Sequence, residues 1–183
     1  MRLRLALIYA VALVCGCQAM PEVDSLIKGK PGEVKVLIFT STDCPIANAL
    51  VPEFKRLQEQ VRKDGGAITF VHTWKKRTQA ELDAHVKEYA FKAHNIIDRK
   101  HELVRRFDAT VTPEVVVILI DASSQPKVFY QGKINNLFDS PGNRRDRATE
   151  HYARDAIHSV FQGSSVSPKF RKPIGCLIEV NHD

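Results

Sequence analysis

The chain has 183 residues, about one domain's worth at roughly 100 to 200 residues per domain, so it can bury one sizeable core and hardly two. Charged residues at 26% and hydrophobic residues at 44% exclude a mostly disordered chain, a collagen-like repeat and a polytopic membrane protein. The formal charge is +6, but without Arg2 and Arg4, which fall in a leader-like segment, 25 basic residues against 21 acidic leave +4. That surplus lies in pieces such as Lys75-Lys76-Arg77, Arg105-Arg106 and Arg144-Arg145, with no basic helix and no aromatic ladder, so no nucleic-acid partner is expected.

Residues 1–17 read as two arginines followed by an apolar run of 13 residues ending at Cys17. The run is too short for the roughly 20 residues of a spanning helix and fits the hydrophobic region of a secretory signal. Its end, Val14-Cys15-Gly16-Cys17, resembles a bacterial lipobox, which implies a lipid on Cys17, loss of Cys15, and an exported protein anchored on the periplasmic side of a membrane. The alternative is an ordinary signal peptide cut near Ala19. Residues 18–31 then read as a linker. In either case Cys44 and Cys176, 132 positions apart, are left for the main domain, and two thiols in an oxidising compartment invite pairing.

From Val34 the run Val-Lys-Val-Leu-Ile-Phe-Thr is β-branched and aromatic and too short for a helix, which predicts a buried central strand. Ile46, Leu50, Phe54, Leu57 and Val61 recur at helical spacing over 45–62, with Pro45 suited to the first turn and Pro52 expected to kink the helix. The turn Asp64-Gly65-Gly66 leads to a strand over 67–74, and Thr78 with Glu81 forms a capping box opening a helix to about residue 91. A short helix over 101–107 precedes Thr112-Pro113. A β-hairpin follows, with strands over 115–120 and 128–134, and then a last helix over 147–162 stopped by Gly163. Residues 164–183 read as an extended tail carrying Cys176. This order predicts an α/β fold, a three-layer α/β/α sandwich on a mixed sheet with an antiparallel pair at one edge.

Cys44 is expected where the first strand hands over to a helix, and free backbone N–H groups and the helix dipole there favour a thiolate nucleophile. Asp43 acts against this, since an adjacent carboxylate disfavours a second negative charge. The bland reading is an inert cysteine at a strand end. The stretch Phe39-Thr40-Ser41-Thr42-Asp43-Cys44-Pro45-Ile46-Ala47-Asn48, together with Val111-Thr112-Pro113-Glu114 before a strand, resembles the thioredoxin-like superfamily. Within it the chain is most similar to redoxin domains of the alkyl hydroperoxide reductase and thiol-specific antioxidant kind, over residues 32–163. The resemblance implies a three-layer thioredoxin-like fold, a cis Pro113 packed against Cys44, and a substrate groove bordered by Thr112, Pro113, Asp43 and Pro45. Three family patterns are incomplete. Ala47 stands where thioredoxins have their second cysteine, and Leu37 stands where peroxiredoxins have a proline, although Ser41 keeps its place three residues before the cysteine. Asn48 stands where Sco-like copper chaperones have a second cysteine.

The implied activity is that of a thiol-disulfide oxidoreductase or thiol peroxidase, in which Cys44 attacks a protein disulfide or a peroxide and Cys176 resolves the product, with an external reductant that the sequence does not name. No cofactor and no resident metal are expected. Two alternatives stay open: a membrane-tethered, Sco-like copper-handling module with Cys44, Cys176 and a histidine as ligands, and a non-catalytic interaction domain whose two cysteines staple the tail. The histidines are otherwise read as solvated, His72 being the one expected to face inward. Trp74 is read as strand-end packing, and Arg144 to Arg147 as a solvated loop.

Overall fold

The computed structural model describes residues 21–74 and 76–180. The segment read as a leader, with Cys17, lies outside the described residues. In chain order the elements are α1 (Pro21–Ile27), β1 (Val34–Thr40), α2 (Pro45–Ala49), α3 (Val51–Lys63), β2 (Ala67–His72), α4 (Gln79–Glu88), β3 (His94–Ile97) and α5 (Glu102–Arg106). They continue with β4 (Val111–Thr112), β5 (Glu114–Ile120), β6 (Pro126–Gly132), β7 (Phe138–Ser140), β8 (Asn143–Arg144), α6 (Tyr152–Phe161), β9 (Phe170–Arg171) and β10 (Cys176–Leu177).

The main sheet has six strands in the order β3-β2-β1-β5-β6-β9. β1 runs parallel to β2 and antiparallel to β5, so the central strand marks the change from the parallel half to the antiparallel half. Because side chains alternate along a strand, β1 feeds two cores. Val34, Val36 and Ile38 join Phe54, Leu57, Val61 and Ile157 under α3 and α6 on one face. Leu37 and Phe39 join Ile27, Leu103, Val104 and Phe107 under α1 and α5 on the other. This is the mixed-sheet, three-layer α/β/α sandwich that the element order predicts.

Several boundaries differ from the sequence reading for identifiable reasons. The helix expected over 45–62 is two helices, because Pro52 cannot donate to Asn48 and its ring crowds that carbonyl; the break falls at Leu50, and α3 starts with its proline in the first turn. The last helix starts at Tyr152 rather than near residue 147, since the Asn136 side chain takes the Thr149 and Glu150 N–H groups. β3 is four residues of modest hydrophobicity and gives no clear alternation to read. β4, β7, β8, β9 and β10 are two or three residues each, below the length at which periodicity carries a signal. The segment after α6 is woven into the fold. β9 lies alongside β6, and a Cβ on Gly132 would stand 1.8 Å from the Arg171 carbonyl oxygen, so that approach needs glycine. β10 pairs antiparallel with β4.

Candidate functional site

Cys44 caps α2 at the C-terminal end of β1. Its sulfur accepts from the Ala47 N–H at 3.4 Å and donates to the Thr112 carbonyl at 2.9 Å. The Thr112-Pro113 peptide bond is cis, as the resemblance implied. Glu114 shapes this bend from beneath: it is 1% exposed and accepts from the Thr110 and Val111 N–H groups and from the Gln131 side chain. Burial raises its carboxyl above the usual range, and those donors pull the other way.

The strap, residues 173–180, crosses this bend. Cys176 pairs with Thr112 and Leu177 with Val111, and the two sulfurs of Cys44 and Cys176 lie 2.8 Å apart. Both thiols are free, and closing a bond of about 2.05 Å between them requires less than about 1 Å of movement. Cys44 is 1% exposed and Cys176 is the more open of the two. Burial and the neighbouring Cys44 sulfur push the Cys176 thiol up to about 12, with the Ile46 N–H acting against them. Cys176 therefore keeps its proton at neutral pH.

A cavity of about 300 Å³ opens beside the two sulfurs, walled by Ser41, Asp43, Trp74, His101 and Ile178, with Thr112 at its base. Asp43 and Thr112 thus share one space with both cysteines. Pro113 faces a neighbouring depression with Ile46, Leu50 and Ile174, and Pro45 serves as the first residue of α2 rather than as a wall of the cavity. The carboxylate of Asp43 is held by Arg77 Nη2 at 2.6 Å, so much of the repulsion expected from it toward a thiolate is offset.

Other expectations need correction. His85 and His101 are buried rather than solvated, and His72 is buried as expected, each with one ring nitrogen occupied, by Asn48, the Thr73 carbonyl and Asn95 respectively. Burial pushes His72 down to about 4. Trp74 is 43% exposed, with Arg77 against its ring, and forms cavity wall instead of strand-end packing. Asn48, where the copper pattern has its second cysteine, donates to the Thr42 carbonyl and braces the Cys44 loop. Among the described residues no group of three or more His, Cys, Asp and Glu side chains is placed to share a metal ion, so the copper reading has two sulfurs and no third ligand there. The sequence reading missed His101, Gly175 and Glu114 as parts of the site. Only Glu114 left a signal, a lone carboxylate opening the apolar run Val115-Val116-Val117-Ile118.

No protein-family model matches the sequence, and no curated protein matches it by sequence. Solved structures do match. A hypothetical protein from Sinorhizobium meliloti is 20% identical, with a TM-score of 0.69 over 83% of this chain and 82% of that one. An uncharacterized conserved protein from Geobacillus kaustophilus is 16% identical, with a TM-score of 0.69 over 88% of this chain and 82% of that one. A secreted disulfide oxidoreductase from Mycobacterium tuberculosis is 16% identical over 76% of this chain and 84% of that one, at a lower TM-score of 0.45. The chain has a mixed central sheet between helical layers, with a cysteine at the first strand-to-helix junction facing a cis-proline bend, the arrangement that the thioredoxin-like resemblance implied.

Proposed function

We propose that the protein is a thiol redox protein that cycles Cys44 and Cys176 between a dithiol and a disulfide, exchanging with a disulfide on a partner protein. The observation that carries this reading is the 2.8 Å approach of two free sulfurs, 132 positions apart in sequence, at the mouth of an open cavity. In the oxidising direction for the protein, the Cys44 thiolate attacks one sulfur of the substrate disulfide, and the other substrate sulfur leaves as a thiolate. Cys176 then gives up its proton and attacks the Cys44 sulfur, displacing the second substrate thiolate and leaving the internal disulfide. A peroxide enters the same cycle by taking an electron pair from Cys44, which becomes a sulfenic acid that Cys176 condenses to the disulfide with loss of water. The disulfide is reopened by an external thiolate at Cys176, the more exposed sulfur, and Cys44 then receives the negative charge beside the Ala47 N–H. We further propose, on the strength of the leader and the lipobox-like Val14-Cys15-Gly16-Cys17, that the protein works outside the cytoplasm on a lipid tether at Cys17. Among the described residues no helix is long and apolar enough to cross a membrane.

The test is thiol counting by mass after treatment with oxidised glutathione, alongside turnover of insulin disulfides and of a hydroperoxide. The wild-type chain loses both thiols. Cys176→Ser stops as a mixed disulfide on Cys44, and Cys44→Ser loses turnover at least 100-fold. Turnover that survives Cys44→Ser overturns the reading.

A further inference from the structure

The strap shows what an extended segment must look like to lie on β4 with a sulfur beside Cys44. Two residue pairs and the Ile178 N–H, which donates to the Thr110 carbonyl at 2.9 Å, make up its ladder. Its side chains then sort by position. Ile174 and Cys176 pack on the core under α3 and α6, Ile178 and Val180 pack on the core under α1 and α5, and Leu177 between them is 82% exposed. Gly175 is fixed by contact. A Cβ there would stand 2.1 Å from the Thr112 carbonyl oxygen and 2.5 Å from its carbon, backbone atoms held in the cis-proline bend. Among the described residues β4 has no strand partner other than β10, so lifting the strap takes the Ile178 donor from the Thr110 carbonyl and undoes the pairing of Thr112 with Cys176, and a strand added in its place restores both.

We propose that this edge of β4 is the docking site for a cysteine-bearing segment of a partner protein, for which the strap is a built-in stand-in. The partner segment replaces β10 and brings its cysteine to the place of Cys176, beside Cys44. The site selects glycine immediately before that cysteine, because any Cβ strikes the Thr112 carbonyl. It also selects aliphatic residues two positions before and two positions after the cysteine, at the places of Ile174 and Ile178. The residue directly after the cysteine, at the place of Leu177, is left free. This rests on the reading of Cys44 as the exchanging sulfur and adds to it the sequence that the exchange accepts.

The test is a titration without sulfur chemistry. In the full chain carrying Cys44→Ser and Gly175→Val the strap cannot seat, and Ile178→Glu lifts it by a second route should the first variant not fold. Trp74, the single tryptophan, stands in the cavity wall, so its emission reports the lifted strap before any peptide is added. The probe is a fluorescein-labelled nonapeptide copying residues 172–180 with Cys176→Ser, followed by anisotropy. It is expected to bind the strap-lifted chain at least tenfold more tightly than the Cys44→Ser chain that keeps Gly175. The same peptide carrying Gly175→Val binds at least tenfold more weakly, and one carrying Leu177→Lys binds within twofold. Three results overturn the proposal: equal binding of the glycine and valine peptides, no binding to a chain whose Trp74 emission shows the strap lifted, or a dimer formed by exchange of straps between copies. Failure of the redox reading appears separately, in the thiol counts of the wild-type chain, and leaves this titration untouched.

Discussion

Oxidation of the Cys44 and Cys176 pair should raise the melting temperature by a calculable amount. The bond joins residues 132 positions apart, so it removes from the unfolded chain the freedom of a loop that spans most of the described residues. The chain-entropy relation gives about 5 kcal/mol for a loop of that length. The native state contributes little strain against this, since the sulfurs already lie 2.8 Å apart and the strap is seated by Ile178 and Val180 whether or not the bond exists. At about 2 to 4 °C per kcal/mol for a domain of this size, oxidation raises the melting temperature by about 10 to 20 °C. Calorimetry of the chain treated with diamide, and of the same chain in excess phosphine reductant, measures the difference directly. Cys176→Ser should melt with the reduced wild type and ignore the reductant. If a chain shown by mass to have lost both thiols melts within about 2 °C of its reduced form, the loop-closure argument is wrong for this fold.

Acid should destabilise the protein through His72. Burial holds its folded value at about 4 against 6.5 for the free side chain, so the unfolded chain binds the proton first as pH falls. Stability present in full above pH 6.5 is lost on the way down to about 4, by about 3 kcal/mol at 1.36 kcal/mol per pH unit, and urea melts of His72→Gln should lack that component. Glu114→Ala leaves the N–H groups of Thr110 and Val111 without their carboxylate, which should cost about 2 kcal/mol in chemical denaturation and speed amide exchange at Ile178, whose N–H bonds the Thr110 carbonyl.

The inner strands β1, β2 and β5 of the main sheet were legible because they are long and apolar enough to read. Val34–Thr40 and Glu114–Ile120 are seven-residue runs with buried side chains, and the helices between them carry a clear apolar face. Cys44 was legible because it lies between such a strand and a helix that opens on Pro45, and the cis Thr112-Pro113 bend was legible only through the family resemblance. The part that was not legible is set by contacts between segments far apart in the chain. Nothing local in Ile174-Gly175-Cys176-Leu177-Ile178 says that its glycine lies flat on the carbonyl of Thr112, sixty-three positions earlier. His101 is hidden for the same reason. It stands in the left-handed region at φ 51° ahead of α5, with the N-terminal N–H groups of that helix taken by Asp98, and it reaches the cavity only because its ring bonds the Thr73 carbonyl at the end of β2.

The strap also explains how a chain with Ala47, where the thioredoxin pattern it resembles has a second cysteine, still brings two sulfurs together. A local Cys-x-x-Cys pair draws both sulfurs from one helix turn, and the resolving thiol is always at hand. In the proposed cycle the resolving thiol is delivered by β10, which covers Cys44 to 1% exposure, and a partner sulfur would compete with Cys176 for the same place on β4. Resolution therefore requires the partner segment, still bonded to Cys44 through its cysteine, to come off β4 as the strap returns, and its thiolate is displaced when Cys176 attacks the Cys44 sulfur. The resolving sulfur gains from being tied to the same chain, because a tethered competitor acts at an effective concentration in the millimolar range. Its proton is held up to about 12 in the free pair, since burial and the neighbouring Cys44 sulfur both oppose a charge on it. In the proposed cycle the tether favours completion of an exchange once begun, the raised Cys176 value slows that step, and the seated strap leaves the resting dithiol closed to bulky partners lacking a segment that can take its place.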